Sequence, residues 1–309
     1  MNIAFFGTPD FAVPALCEIN NSNHNIVATI TGVAKPSGRG QKLRKTPIYV
    51  ESERLKIPII EVDDLHDSDF IKKLESLKID IFIIVAFRIL PEKIFSIPKY
   101  GTVNLHASLL PKYRGSAPIQ HAILNGETKT GITTFQINSR VDAGNIYLQE
   151  EYIITNIATT GMVWDDLSIV GASLLVKTLD GIENNSISPT KQDLQKSSPA
   201  PKLKSEMFSI DWSKSSTQIH NQIRAFSPKP GAFTKFNGLR IKLFDSEVTN
   251  MKTLKSGLWV NLDDKIVVGT GNGDLEIKSV QLEGKKRMST ADFYKGILSK
   301  IEGRELSFG

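Results

Sequence analysis

Apolar positions in the first half of the chain come in short, β-branched runs: NIAFF (2–6), IVATITGV (26–33), IPII (57–60), IDIFIIVAF (79–87) and GTVNLHA (101–107). Helix-length segments such as 67–77 separate them. Apolar strands alternating with helices predict a mainly parallel sheet covered on both faces, with a ligand site beyond the carboxyl ends of the strands. GITTFQI (131–137) and NIYLQEEYIIT (145–155) flank NSRVDAG and predict a hairpin whose connection carries Asp142. The amphipathic run 162–179 predicts a helix that closes this first domain.

From 188 the pattern changes. SPTKQDLQKSSPAPKLKS is rich in Ser, Pro and Lys and poor in apolar residues, which predicts an extended linker that packs no core. Short strands with regular turn signals follow: GAFTKFNG, LRIKLFDSEV, GLWVNL, KIVVGTG and DLEIKSVQLE. A small β-barrel closes so many short strands without exposed edges. The expected organisation is therefore a domain over 1–189, a basic linker over 190–205 and a barrel domain over 206–309. A length of 309 residues allows two such cores.

Motifs remove several classes of function. The first turn, GTPDF, holds one Gly and lacks GxGxxG, so a pyrophosphate-cradling fingerprint is missing and a redox dinucleotide enzyme is disfavoured. GTGNGD at 269–274 lies between strand-like runs and reads as a hairpin turn. His106 and His121 lack the spacing and neighbours of a zinc site, so no metal is expected. Cys17 is the single cysteine, which excludes an intramolecular disulfide and suits a reducing compartment. No apolar stretch approaches the roughly 18 to 20 residues of a membrane span, and the start has no basic leader, so a cytoplasmic protein is expected.

Charge is uneven. Residues 1–189 hold 18 Lys+Arg against 20 Asp+Glu, a net of −2, whereas 190–309 hold 20 against 13, a net of +7. A polyanionic partner and a solvated Lys-rich surface both account for this excess. The irregular stretch 34–47, AKPSGRGQKLRKTP, adds five Lys/Arg and no acid; it reads as a mobile surface loop or as a nucleic-acid contact.

Asn104 and His106 stand at i and i+2, on one face of a strand. Asp142 lies on a hairpin that can join the same sheet. An amide and a protonated imidazole can stabilise an oxyanion when an amine attacks a carbonyl-like carbon, while a carboxylate fixes the imidazole and helps remove the amine proton. Spacing alone leaves plainer readings open: a turn-forming Asn, a hydrogen-bonded structural His and an Asp in turn chemistry.

The stretch NLHASLLPKYRGSAPIQHAILNGETKTGITTFQI, followed by VDAGNI, resembles the core of the folate-dependent formyltransferases. FFGTPDFAVPAL, PSGRGQKL, DWSKSSTQIHNQIRAFSPKPGAF and EGKKRMSTADF resemble the branch of that family that acts on methionyl-tRNA, so the resemblance spans essentially the whole chain. It implies a Rossmann-like formyltransferase domain with a C-terminal OB-like β-barrel. It also implies transfer of a formyl group from 10-formyltetrahydrofolate to the α-amino group of initiator methionyl-tRNA, without a metal.

By motif, Asn104 would bind the formyl oxygen, His106 would act as acid and oxyanion stabiliser, and Asp142 would position His106 and aid proton removal. Ser108, Leu109, Leu110 and Pro111 match the folate-binding segment. Arg39, Lys42 and Arg44 in the basic loop, and Lys196, Lys202 and Lys204 in the linker, are the implied tRNA contacts. A monomer is expected.

Two departures stand out. AFRILP (86–91) replaces AYGxxLP and brings Arg88 towards the expected folate pocket, resembling glycinamide ribonucleotide formyltransferases there. Asn145 stands where an acid is frequent. Competing readings keep the chemistry and change the acceptor to a glycinamide or an amino-sugar nucleotide, or keep the fold as an RNA-binding protein without catalysis.

Overall fold

Among the described residues of the first half nine strands form: β1 (Asn2–Gly7), β2 (Asn25–Gly32), β3 (Lys35–Ser37), β4 (Lys42–Arg44), β5 (Ile59–Val62), β6 (Ile81–Val85), β7 (Thr102–His106), β8 (Lys129–Gln136) and β9 (Ile146–Ile153). Seven of them make one sheet in the order β5-β2-β1-β6-β7-β8-β9, and β3 pairs with β4 apart from it. The first five in that order run parallel; β8 and β9 are antiparallel. The computed structural model describes residues 1–37, 42–236, 238–249, 251–262 and 265–296.

The parallel strands are the apolar runs of the sequence because both their faces are covered. All five residues of β6 are buried. On one side Phe6, Phe82 and Phe87 stack with ring centroids 5.0 and 5.6 Å apart, within a core that includes Phe70, Ile71 and Leu74. The last three come from the helix Ser68–Ser76, whose N-terminus is capped by Asp67 accepting from the Asp69 amide at 3.0 Å. On the other side Leu105 meets the helix Thr160–Glu183 at Gly171, where a Cβ would lie 2.7 Å from its Cδ2. The predicted helix over 162–179 is thus present and longer at both ends.

The chain passes outward from β1 through β2 to β5 and then returns to β6 on the other flank of β1. The carboxyl ends of β1, β6 and β7 therefore surround a switch point of the kind at which α/β sheets hold ligands.

The second half supplies β10 (Ala232–Phe236), β11 (Leu239–Val248), β12 (Trp259–Leu262), β13 (Lys265–Gly269), β14 (Asp274–Leu282) and β15 (Met288–Ser289), all antiparallel, in the order β10-β11-β14-β13-β12 with β15 on β14. This is the OB-like antiparallel domain that the short strands predict. The Gly-rich 269–274 turns tightly between β13 and β14. A helix, Ser216–Ala225, begins with a capping box between Ser215 and Gln218 and packs against β11.

Two units separate: Met1–Pro118, Lys129–Ile153 and Trp164–Pro201 in the first, and Ile119–Thr128, Ile154–Val163 and Lys202–Gly309 in the second. The segment expected to stay unpacked over 190–205 does not do so throughout. Thr190 exchanges both backbone hydrogen bonds with Ile146, at 2.8 and 2.7 Å. The Ala200 amide donates to the Arg114 carbonyl at 2.6 Å, and the Ala200 carbonyl accepts from the Ala117 amide at 3.2 Å. Gln192 and Ala200 are buried. Composition misleads here because main-chain pairing and a small side chain, rather than large apolar residues, hold the segment.

Candidate active site

β7 brings Asn104 and His106 to its carboxyl end on the face opposite Leu105, as strand alternation requires. The Asn104 amide is half-buried and makes no hydrogen bond among the described residues. His106 is buried, with its ring set edge-on to Phe135 at 6.4 Å. Its Nε2 stands 2.8 Å from the Tyr113 carbonyl oxygen. A carbonyl only accepts, so Nε2 carries the proton and Nδ1 is the site of the lone pair or of a second proton.

His106 Nδ1 lies 3.8 Å from Asp142 Oδ2. That spacing suits an ion pair and is longer than a hydrogen bond. Asp142 occupies the β8–β9 connection at φ 49°, a left-handed conformation that Asp tolerates. Beside it Gly144 has no room for a side chain, since a Cβ would fall 1.6 Å from the Gln136 carbonyl oxygen. The Gly115 amide donates to Asp142 Oδ2 at 2.8 Å. The structure therefore brings Asn104, His106 and Asp142 to one place.

Ser108, Leu109, Leu110 and Pro111 form the turn that leaves β7. Ser108 is fully buried, its hydroxyl donating to the Lys112 carbonyl at 2.7 Å and its carbonyl accepting from Thr133 at 2.6 Å. Leu110 is buried, and its amide and carbonyl are engaged by Thr133 and by Gln149 Nε2. These two residues shape the turn from within. Leu109 is half-buried against Gly131, where a Cβ would lie 2.5 Å from its Cδ2.

Of the basic candidates, Arg39 lies outside the described residues. Lys42 and Arg44 bound β4, with Arg44 exposed and paired in register with Lys35. Lys196 is exposed and 3.4 Å from Asp193; Lys202 and Lys204 are exposed. The Arg88 guanidinium donates to the carbonyls of Val62 and Asp63 at the end of β5, which ties the segment after β6 to the end of a strand separated from it by two others in the sheet. Among the described residues no cluster of three or more His, Cys, Asp or Glu could hold a metal ion.

Comparison with known proteins supplies the family. Residues 1–179 match the family "Formyl transferase", and residues 202–298 match "Formyl transferase, C-terminal domain". The chain belongs to the formyltransferase family. A methionyl-tRNA formyltransferase of Alkaliphilus oremlandii is 41% identical over 299 residues, covering 96% of each chain. One from Pelotomaculum thermopropionicum is 41% identical over 300 residues, again covering 96% of each. Among solved structures, an N-formyltransferase of Helicobacter canadensis in complex with folinic acid and dTDP-3-aminofucose aligns with a TM-score of 0.69 at 23% identity, covering 93% of this chain and 99% of its own. That likeness concerns the fold.

Two groups that the structure places around Asp142 in this formyltransferase were not singled out in the sequence. Arg114 and Gly115 sit inside the motif that carries the resemblance, and a Gly in a loop is a usable signal for an unusual backbone angle; Gly115 has φ 129°. Gln192 gave no signal, because it lies in the polar segment read as a linker.

Proposed function

We propose that this formyltransferase moves the formyl group of 10-formyltetrahydrofolate onto the free α-amino group of initiator methionyl-tRNA, giving N-formylmethionyl-tRNA for translation initiation. The observation that carries the chemistry is the approach of His106 to Asp142 beside the unengaged amide of Asn104. The relatives at 41% identity, matched along nearly their whole length, support methionyl-tRNA as the acceptor.

The residues fit a formyl donor. The Asn104 amide is open to a formyl oxygen, and Leu109 offers an apolar edge of the kind that suits an aromatic pterin. The attacking amine forms the new C–N bond while the formyl oxygen gains negative charge. Asn104 donates to that oxygen, and His106 in its cationic form stabilises it electrostatically. The amine proton passes to the Asp142–His106 pair, and from it to the folate N10 as the old C–N bond breaks. Asp142 faces Nδ1 at 3.8 Å and orients the ring.

Lys42, Arg44, Lys196, Lys202 and Lys204 serve as phosphate contacts that position the tRNA, in keeping with the basic C-terminal part of the chain. Action as a monomer is part of this proposal. No described helix is long and apolar enough to cross a membrane, in keeping with work in the cytoplasm.

A transfer assay with 10-formyltetrahydrofolate tests the reading when charged initiator tRNA, charged elongator methionyl-tRNA, glycinamide ribonucleotide and an amino-sugar nucleotide are offered in parallel. Product on the charged initiator tRNA alone is expected. Faster transfer to either nucleotide overturns the acceptor assignment.

A further inference from the structure

The geometry points to Gln192 as a positioning residue for the reaction, holding the Asp142 loop through its main chain. This rests on the role proposed for Asp142. Gln192 is 5% exposed and uses its whole amide. Nε2 donates to the carbonyls of Asp142, at 3.0 Å, and Gly144, at 2.7 Å. Oε1 accepts from Arg114 Nε at 3.2 Å and Nη2 at 2.6 Å.

Arg114 in turn immediately precedes Gly115, whose amide holds the Asp142 carboxylate. Two routes therefore converge on one residue: Gly115 fixes the carboxylate and Gln192 fixes the peptide behind it. Asp142 stands at a hairpin tip in a left-handed conformation that Asp tolerates but that its own backbone does not enforce, so the two contacts hold it there. Burial pushes the Arg114 guanidinium down in pKa, while the Asp142 charge acts on it in the opposite sense. The stretch Thr190–Pro201 is thus part of the catalytic unit and sets the distance between Asp142 and His106.

Gln192→Met keeps the length of the side chain and removes every hydrogen bond. Steady-state kinetics are measured for Gln192→Met, Asp142→Asn and the double variant, with folding followed by circular dichroism. Gln192→Met is expected to lower kcat by about 10- to 100-fold, the scale of a misplacement near 1 Å, with KM for both substrates within about threefold of the parent. In the Asp142→Asn background the same substitution is expected to cost less than about threefold, because the residue it positions is already disabled.

Multiplied losses in the double variant, or an unchanged kcat in the single one, overturn the inference. If Gln192→Met does not fold, Arg114→Met in the same two backgrounds reads the network from its other end, with the same expected pattern. A parent enzyme with no transfer to methionyl-tRNA overturns the proposed function instead, and the two failures are separate.

Discussion

Gly115 donates its amide to Asp142 Oδ2 at 2.8 Å from a backbone conformation that only glycine adopts without strain. Its φ is 129°, and a Cβ there would lie 2.3 Å from the carbonyl oxygen of Ala200. A loop residue and a strand of supposed linker thus press on the same point, and glycine lets the amide reach the carboxylate.

Gly115→Ala should therefore do two things at once. The strain is expected to lower stability by about 1–3 kcal/mol, and displacement of the amide should lower kcat by at least about tenfold. Thermal unfolding and steady-state kinetics read the two effects separately. An alanine variant with parental melting and turnover would show that the backbone accommodates the Cβ and that this contact does not position Asp142.

His106→Ala should lower turnover by about 10²- to 10⁴-fold while leaving tRNA affinity within about twofold, since one buried acid/base group is being removed and the affinity is assigned to phosphate contacts at exposed basic residues. Filter binding and single-turnover transfer give the two quantities. His106→Gln, which retains a donor towards the Tyr113 carbonyl, should fold like the parent and be similarly slow. Turnover near the parental rate in both variants would take His106 out of the mechanism.

Lys202 and Lys204 are exposed and form no ion pair among the described residues, whereas Lys196 already stands near Asp193. An exposed pair of that kind is weak, so Lys196 remains available to a phosphate. Replacing all three by Ser should weaken tRNA binding and flatten the dependence of log affinity on log salt by about one unit per lost contact. Measuring affinity from low to physiological salt decides it. An unaltered slope would return these lysines to ordinary surface.

Periodicity made the sheet legible: every apolar run that predicted a parallel strand became one, because strands buried on both faces cannot disguise their pattern. The pairing of Asn104 with His106 followed from alternation along a single strand. Asp142 reached the trio on the strength of a hairpin and a family motif, since sequence distance says nothing about where a loop tip falls.

Gln192 and Ala200 were invisible for a different reason. Their burial depends on main-chain partners, Ile146 for the neighbouring Thr190 and Arg114 for Ala200, and such pairing leaves no hydrophobic trace. Ser108 and Leu110 show the converse. The motif marks them for folate binding, and the structure shows them buried within the turn that leaves β7.

Cys17 supplies a pH test away from the active site. Its Sγ donates to Glu51 Oε1 at 3.0 Å, and Glu51 is held by Arg54 through Nε at 3.1 Å. Burial first, then the hydrogen bond and charge of Glu51, push the thiol up from 9.0 to about 11, with Arg54 opposing. The folded protein should consequently react slowly with iodoacetamide at pH 8, and the rate should climb with a midpoint near 11. Glu51→Gln should move that midpoint only part of the way back, because burial is the largest cause and stays in place. The sign for stability follows: above about 9 the unfolded chain loses a proton that the native thiol keeps, so this contribution falls as pH rises between 9 and 11. An alkylation midpoint near 9 in the folded protein would mean that the thiol is solvated and that Glu51 does not hold it.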